Sequence, residues 1–423
     1  MTNSITNDLI HRAASYVPDF ELAGKAKPTR NLPWQTWLDA ELGFRNHWYP
    51  VDASRNFLED APRVIKLLGE DIIFVRRGGT MYAVEDRCPH RGSRFSVRPL
   101  FYTEKTITCW HHTWTFNLDD GKVRAIFNNP NSERCGKTGI KAYPVQEQKG
   151  IVFIFIGDKE PHDLADDVPP GFLDEDMAVC VADPYIVHSN WRLGCEGGYD
   201  PGHHFIHNWS PFAMDNGIPF SYGMVSTDDA LFDTTDYVAD EEGPKGFTRK
   251  GEKTDMRFSA TIPARGDEPE TTVTLPLALD LTPEQMAANQ NYTTDIGLWL
   301  PCGLLVTPFP SPGAFHNEYY VPIDAQSHYY FQCGWRRVKS EEERKAWEGD
   351  LGYAKWKVPV VDGFTRQDAE AREGINKFYA EENGWKNEII SGSDIELLMW
   401  RIFASENCGG VQTENHARGM FKR

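Results

Sequence analysis

Asp86-Arg-Cys88-Pro-His90-Arg-Gly92 and Cys109-Trp-His-His112 are the two stretches on which the reading of this chain turns. Each follows a strand-like run, Met81-Tyr-Ala-Val84 or Thr106-Ile-Thr-Cys109, and places one cysteine and one histidine in a short turn. One loop can then present both side chains to one centre. Two such loops supply two thiolates and two neutral imidazoles, the donor set of a Rieske-type [2Fe–2S] cluster. Zinc on two cysteines and two histidines needs the same four donors, although zinc fingers usually pair Cys with Cys and His with His. Buried cysteines beside satisfied core histidines are the plain alternative. In the second loop His112 is the expected donor, with His111 facing solvent or a partner, and Cys135 reads as a structural thiol.

Working outward, residues 46–160 read as short strands broken by turns. Ile72-Ile-Phe-Val75 and Ile151-Val-Phe-Ile-Phe-Ile156 are strand-like, and Gly78-Gly79 and Asp120-Gly121 are hairpin-type turn signals. Residues 1–45 are polar and partly helical, with Trp34, Trp37 and Leu42 as candidate docking contacts. After a turn-rich linker near 158–176 the pattern mixes. Strands are expected at Gly297-Leu-Trp-Leu300, Tyr319-Tyr-Val321 and His328-Tyr-Tyr-Phe-Gln332, a long surface loop at 240–270, and helices over 340–405. Ile395, Leu398, Met399, Ile402 and Phe403 follow the helical period. Three segments are expected: 1–45 packing on the catalytic domain, 46–160 as the cluster domain, and 161–423 as an α+β domain.

Composition narrows the function. A chain of 423 residues, 40% hydrophobic and 25% charged, suits two or three soluble globular domains. Its formal charge of −18 argues against a general affinity for nucleic acid or for an anionic membrane surface. No apolar run approaches the ~18 residues that cross a bilayer. The N-terminus lacks a signal-peptide pattern, and eight cysteines are too few for a disulfide-stapled chain of this length. A reducing cytoplasm is the expected location. Against the acidic whole, Arg87, Arg91, Arg94, Arg98 and Lys105 make the cluster loops locally basic, a surface that suits an acidic protein partner.

A second constellation lies in Glu196-Gly-Gly-Tyr-Asp200-Pro-Gly-His203-His-Phe-Ile-His207. His203 and His207 are four apart, so on a helical turn both imidazoles share a face. His204 is a rival, being three from His207. Two imidazoles with one carboxylate form the facial triad that holds non-haem Fe(II) with open positions. A lone histidine is usually structural; a spaced set beside a cluster motif points to a second metal.

Together these motifs resemble the Rieske non-haem iron ring-hydroxylating oxygenases, the terminal components of multicomponent systems. The match rests on Cys88-Pro-His-Arg-Gly92, Cys109-Trp-His-His-Thr-Trp114 and Glu196-x-x-x-Asp200-x-x-His203. The departures are Thr113, where Gly or Ala is common, and His111, where Tyr is common. The resemblance implies an α+β fold, with an antiparallel β Rieske domain and a larger helix-grip catalytic domain. It implies cluster ligands Cys88, His90, Cys109 and His112, and mononuclear iron on His203, His207 and Asp394. It also implies that Asp200 bridges the iron site to a neighbouring subunit's cluster at His112. Gly198 would offer its carbonyl to a substrate, with Ile296, Leu304 and Phe309 as apolar walls; Gly197 and Ser391 depart from the pattern near that pocket. A homotrimer without a β subunit is implied, fed by NAD(P)H through a reductase and a ferredoxin, with O2 as co-substrate. The implied reaction is dihydroxylation of a polycyclic or heteroaromatic ring, most closely carbazole-type angular dioxygenation. Monooxygenation or demethylation of an N-heterocyclic or other bulky ring, as in the 2-oxoquinoline 8-monooxygenase group, is the alternative. A cluster-only electron carrier would leave residues 196–207 unused.

Overall fold

A computed structural model describes residues 2–222, 224–225, 235–240, 243–251, 255–274 and 294–418. The chain divides into two units. One comprises Met1–Asp39, Ala165–Tyr320 and Gln326–Cys408; the other comprises Ala40–Leu164, Val321–Ala325 and Gly409 onward. The division departs from the sequence expectation in four places. Residues 40–45, 161–164, the 321–325 hairpin tip and the tail from 409 all belong with the smaller unit. In that unit Gln412 donates to the Leu68 carbonyl and to Glu70, while Arg45 donates back to Gln412.

Among the described residues ten short strands build the smaller unit: β1 (His47–Ala53), β2 (Arg63–Leu67), β3 (Glu70–Arg77), β4 (Thr80–Glu85), β5 (Thr106–Thr108), β6 (Trp114–Asn117), β7 (Val123–Ile126), β8 (Ala142–Tyr143), β9 (Val145–Gln148) and β10 (Ile151–Ile156). They pair antiparallel in the orders β2-β3-β4-β8, β5-β6-β7 and β1-β10-β9. The β3/β4 hairpin turns on Gly78 and Gly79, at φ +56° and +77°. Two successive positive φ values define the turn whose twist matches antiparallel strands, which is why glycine stands at both positions. Cys88 and Cys109 pack in one core with Val84, Phe95, Ile107, Phe116 and Val123. Cys135 packs against that core, and all eight cysteines are unbridged.

The larger unit is an antiparallel sheet gripped by helices. Its strands are β11 (Met177–Val181), β12 (Tyr185–Val187), β13 (Thr235–Asp240), β14 (Gly243–Arg249), β15 (Asp295–Trp299), β16 (Gly303–Thr307), β17 (Ala314–Asp324) and β18 (Ser327–Arg337). Their order is β11-β18-β17-β16-β15-β14-β13, with β12 also on β18. The principal helices are α1 (Thr2–Ala14), α2 (Gln35–Asp39), α3 (Trp191–Tyr199), α4 (Pro211–Asn216), α5 (Glu341–Glu348), α6 (Arg366–Glu381) and α7 (Ile395–Asn407). The α+β reading holds. The 240–270 stretch does not form the expected loop: β14 occupies 243–249, and Ser259–Ile262 pairs with Thr271–Thr274 as an exposed hairpin. The Gly, Pro and charged residues there mark turns between short strands; 241–242 and 252–254 lie outside the described residues.

Helix α7 is buried nearly all round, and its polar residues are therefore paired. Arg401 grips Glu196 of α3 bidentately, Nε to Oε1 and Nη2 to Oε2 at 2.7 Å each, and also meets Glu388. The Trp37 indole donates to the same Glu196 oxygen at 2.7 Å. Arg249 of β14 pairs with Glu396. Glycine sets how closely α3 sits on the sheet: a Cβ at Gly194 would fall 2.4 Å from the Tyr320 ring. Overpacking of a close-packed contact typically costs about 1–3 kcal/mol. Gly194→Ala is accordingly expected to lower stability in chemical denaturation by about that amount, with no change in the slope of unfolding.

Candidate metal centres

The two ligand loops of the smaller unit share one construction. In the first, the Gly92 amide donates to the Cys88 carbonyl at 2.8 Å, and Gly92 is left-handed at φ +75°. In the second, the Thr113 amide donates to the Cys109 carbonyl at 3.0 Å, and Thr113 is left-handed at φ +58°. Each loop thus closes four residues after its cysteine, with its histidine inside the closed turn. The His90 and His112 rings lie 4.6 Å apart, and Trp114 stacks on His90 at 5.0 Å and 10°. Cys88 and Cys109 are 1% exposed, and burial pushes the Cys88 thiol up to about 12. Partial desolvation, then His111, His90 and Arg91, draw His112 below the usual imidazole range, which favours the neutral ring.

Nδ1 of His90 is buried with no hydrogen-bond partner among the described residues. An orphaned buried imidazole nitrogen is costly unless a metal takes it, and with two buried thiols and a second imidazole 4.6 Å away these residues fit a [2Fe–2S] cluster. His111 is instead exposed, its Nδ1 2.9 Å from the Ser93 hydroxyl.

The second site grows from the end of α3. Asp200 closes that helix through its amide to the Glu196 carbonyl, 2.9 Å, and caps the next segment by accepting from the Gly202 amide at 2.7 Å. Pro201–Trp209 is 3₁₀ rather than α-helical, yet His203 and His207 still converge, their ring centroids 5.2 Å apart. Nδ1 of His203 bonds to the Asp200 carbonyl. Donation by Nδ1–H there leaves Nε2 as the free donor atom. His207 is fully buried under Phe364, stacked at 3.7 Å, and neither ring nitrogen makes a hydrogen bond among the described residues. The His204 ring lies 4.7 Å from that of His203, yet His204 is outside the cluster of ligand atoms.

The carboxylate that meets these imidazoles is Asp368, in the first turn of α6. Its Oδ1 lies 3.6 Å from Nε2 of His203 and 3.5 Å from Nε2 of His207. Burial pushes the Asp368 carboxyl up to about 6, opposed by Arg372 and His203. Two imidazoles and one carboxylate, each with a ligand atom within 4.8 Å of the others, fit mononuclear iron.

This corrects the expected third ligand. Asp394 does not reach the histidines; its Oδ2 accepts from the Ser391 amide at 2.7 Å and hydroxyl at 3.1 Å in a capping box. Ser391-x-x-Asp394 is capping-box spacing, so the residue does the local work its sequence position allows. Glu388 and Glu396 are held by Arg401 and Arg249. Asp368 was missed because Arg366-Gln-Asp-Ala-Glu-Ala-Arg372-Glu carries four acidic or basic neighbours of similar appearance. Its one mark is that Asp368 and Arg372, four apart, are buried on a mostly polar helix.

Asp200, His203, Asp368 and Arg372 line a cavity of about 190 Å³ with Glu196 and Gly197. The expected substrate residues do not line it. Gly198 lies against Leu304 and the Tyr320 hydroxyl, since a Cβ there would fall 2.8 Å and 2.2 Å from them. Phe309 reaches the site through Phe364, 5.1 Å between rings, and Ile296 pairs with Val306 across the β15/β16 ladder.

With both donor sets in place, comparison with known proteins defines the class. The Rieske [2Fe-2S] domain family matches residues 47–144, and the homotrimeric ring hydroxylase family matches residues 155–412. The chain belongs to the homotrimeric ring hydroxylases that carry a Rieske domain.

More particularly, it is 41% identical over 387 residues to the carbazole 1,9a-dioxygenase terminal oxygenase component CarAa of Metapseudomonas resinovorans, covering 91% of this chain and 96% of that protein. It is 38% identical to the CarAa protein of a Sphingomonas species, covering 90% and 97%. Among solved structures, the carbazole 1,9a-dioxygenase oxygenase of Novosphingobium sp. KA1 superposes with a TM-score of 0.79 at 40% identity, covering 90% of this chain and 97% of that one. A reduced oxygenase–ferredoxin complex of carbazole 1,9a-dioxygenase gives 0.79 at 41%, covering 92% and 94%. Among the described residues no helix is long and apolar enough to cross a membrane.

Two substitutions separate the candidate carboxylates. Asp368→Ala is expected to lose the mononuclear metal while the cluster's visible absorption persists. Asp394→Ala should keep that metal in elemental analysis and lose about 1 kcal/mol of stability with its cap. In the cluster loop, a β-branched residue at positive φ is strained, and the Thr113 hydroxyl is buried without a partner among the described residues. Thr113→Gly should raise stability by about 1 kcal/mol, read as a higher unfolding temperature with an unchanged cluster spectrum.

Proposed function

We propose that this protein is the terminal oxygenase of a multicomponent Rieske system and dihydroxylates a polycyclic or heteroaromatic ring, with carbazole-type angular dioxygenation as its reaction. The observation that carries this reading is the pair of donor sets in one chain: Cys88, His90, Cys109 and His112 for the cluster, and His203, His207 and Asp368 for iron. When bound, the cluster supplies electrons and Fe(II) supplies the binding and activation of O2.

The protein's own residues do the rest. Asp200 presents its carbonyl to His203 and so fixes that ring's tautomer. One carboxylate oxygen of Asp200 caps Gly202, and the other makes no hydrogen bond among the described residues beside a cavity. That oxygen is suited to accept from His112 of a neighbouring protomer, which would make the trimer part of the active site. Phe364, Phe309, Phe212 and Phe220 form an aromatic wall around His207 that excludes water. Arg87, Arg91, Arg94, Arg98 and Lys105 are all exposed and suit an acidic ferredoxin, which a reductase oxidising NAD(P)H would recharge in the cytoplasm.

Turnover of carbazole, dibenzofuran, dioxin-type and quinolinone rings under labelled O2, with ferredoxin and reductase supplied, tests the reading. Two labelled atoms in a carbazole diol are expected, together with three irons per chain. One labelled atom, or loss of a methyl group, would replace dioxygenation by the monooxygenase alternative. Asp200→Asn should keep both centres in visible and paramagnetic resonance spectra yet lower turnover at least a hundredfold. A rate within a few-fold of the parent would remove the bridging role.

A further inference from the structure

Arg372 is the most conspicuous charge in the larger unit that the proposed chemistry leaves without a role. Its side chain is 3% exposed, and Nε, Nη1 and Nη2 make no hydrogen bond among the described residues. The guanidinium carbon lies 4.9 Å and 4.8 Å from the ring centroids of Tyr320 and Tyr330. Nη2 stands 3.8 Å from Oδ1 of Asp368 and 4.0 Å from Oε2 of Glu318. A buried guanidinium with unspent donors costs several kcal/mol unless neighbouring anions compensate it.

The two anions differ in how firmly they are held. Glu318 is fixed on the sheet: it accepts from the Tyr320 hydroxyl, and its Oε1 lies 2.9 Å from Nε2 of His316. The Trp356 indole donates to Nδ1 of His316 at 3.0 Å, so that ring is the tautomer whose Nε2–H donates to Glu318. His316, Glu318 and Tyr320 alternate along β17 and therefore face the same side of the sheet. Asp368, by contrast, makes no hydrogen bond among the described residues, and the polar groups that face it are the two iron-site imidazoles and Arg372. An anionic ligand for Arg372 is disfavoured, because Glu196, Asp200 and Asp368 line the same cavity.

We propose that Arg372 is a positioning residue for the mononuclear iron site: braced by Glu318, Tyr320 and Tyr330, its guanidinium holds the Asp368 carboxylate turned toward Nε2 of His203 and His207. The assignment rests on Asp368 being the iron ligand. Arg372 and Asp368 are one helical turn apart on α6, so the anchor and the ligand move as one piece, and the sheet fixes the anchor from behind. Outer partners of this kind typically change metal affinity 10–100-fold.

The test uses the full chain with its cluster retained and the mononuclear site emptied by chelation, titrated with Co(II) and followed by its visible ligand-field bands. The parent should bind one ion and Asp368→Ala none; binding by Asp368→Ala would overturn the ligand assignment itself. With that satisfied, Arg372→Met should bind Co(II) ten- to a hundredfold more weakly with altered bands, and Arg372→Lys should recover part of the loss. Glu318→Gln, which removes the brace but leaves the guanidinium, should weaken binding by a smaller factor. A purely packing role would lower the unfolding temperature of these variants and leave affinity and bands unchanged. Binding by Arg372→Met within twofold of the parent, or tighter than it, would overturn the positioning role. Should Arg372→Met not fold, unchanged affinity in both Arg372→Lys and Glu318→Gln would do the same.

Discussion

A carboxylate must stay anionic in a nearly waterless place if the larger unit is to hold iron, and much of its architecture follows from that demand. Asp368 is 5% exposed, and burial alone drives it toward the neutral acid. Opposing that are the cation of Arg372 and then the imidazole of His203, on two different elements. The compensation then propagates, because Arg372 itself needs an anion. Glu318 supplies it, and Glu318 in turn takes donors from Tyr320 and His316. A single functional charge has recruited a sheet face, a helix turn and the 3₁₀ segment into one alternating array of signs.

The same logic places α3, which delivers Asp200 and the histidines. Its inward charge, Glu196, is matched by a planar bidentate guanidinium from α7 and an indole N–H from α2. Removing either partner of such a pair would leave a buried charge uncompensated, commonly at about 3–5 kcal/mol. The pair is therefore better read as fixing where α3 sits than as a source of net stability. Gly194 and Gly198, one turn apart, let the helix settle onto Tyr320, the ring that also carries Arg372. Helix position and ligand geometry thus meet in one tyrosine.

The difference in legibility between the two metal sites has a physical origin. The cluster donors lie within residues 88–112, on two short loops that the structure closes at Gly92 and Thr113. Donor spacing and loop geometry are local there, so the motif carries the site. The iron site joins residues 203 and 207 to a carboxylate 161 positions beyond His207. The histidine pair was readable, but no local period distinguishes Asp368 from the other acids of α6. Asp394 matched a resemblance and a helix start, and the helix start is what it serves. The 240–270 stretch failed for a related reason: turn residues at close intervals look alike whether they join strands or form one loop.

Sequence distance also bears on how each site is assembled. Closing two short loops on a core that already contains their cysteines costs little additional chain entropy, so the cluster site is pre-formed once the small sheets pair. The iron site cannot form locally. Its third donor arrives only when α6 has packed beside α3 and the 3₁₀ segment, and that packing depends on charges which attract one another only after burial. Metal affinity at such a site includes the cost of any looseness in the supporting elements. The alternating array from Trp356 through His316, Glu318 and Arg372 to Asp368 confines that looseness before a metal is bound. The residues that hold the ligand are therefore as specific to the reaction as the ligand itself.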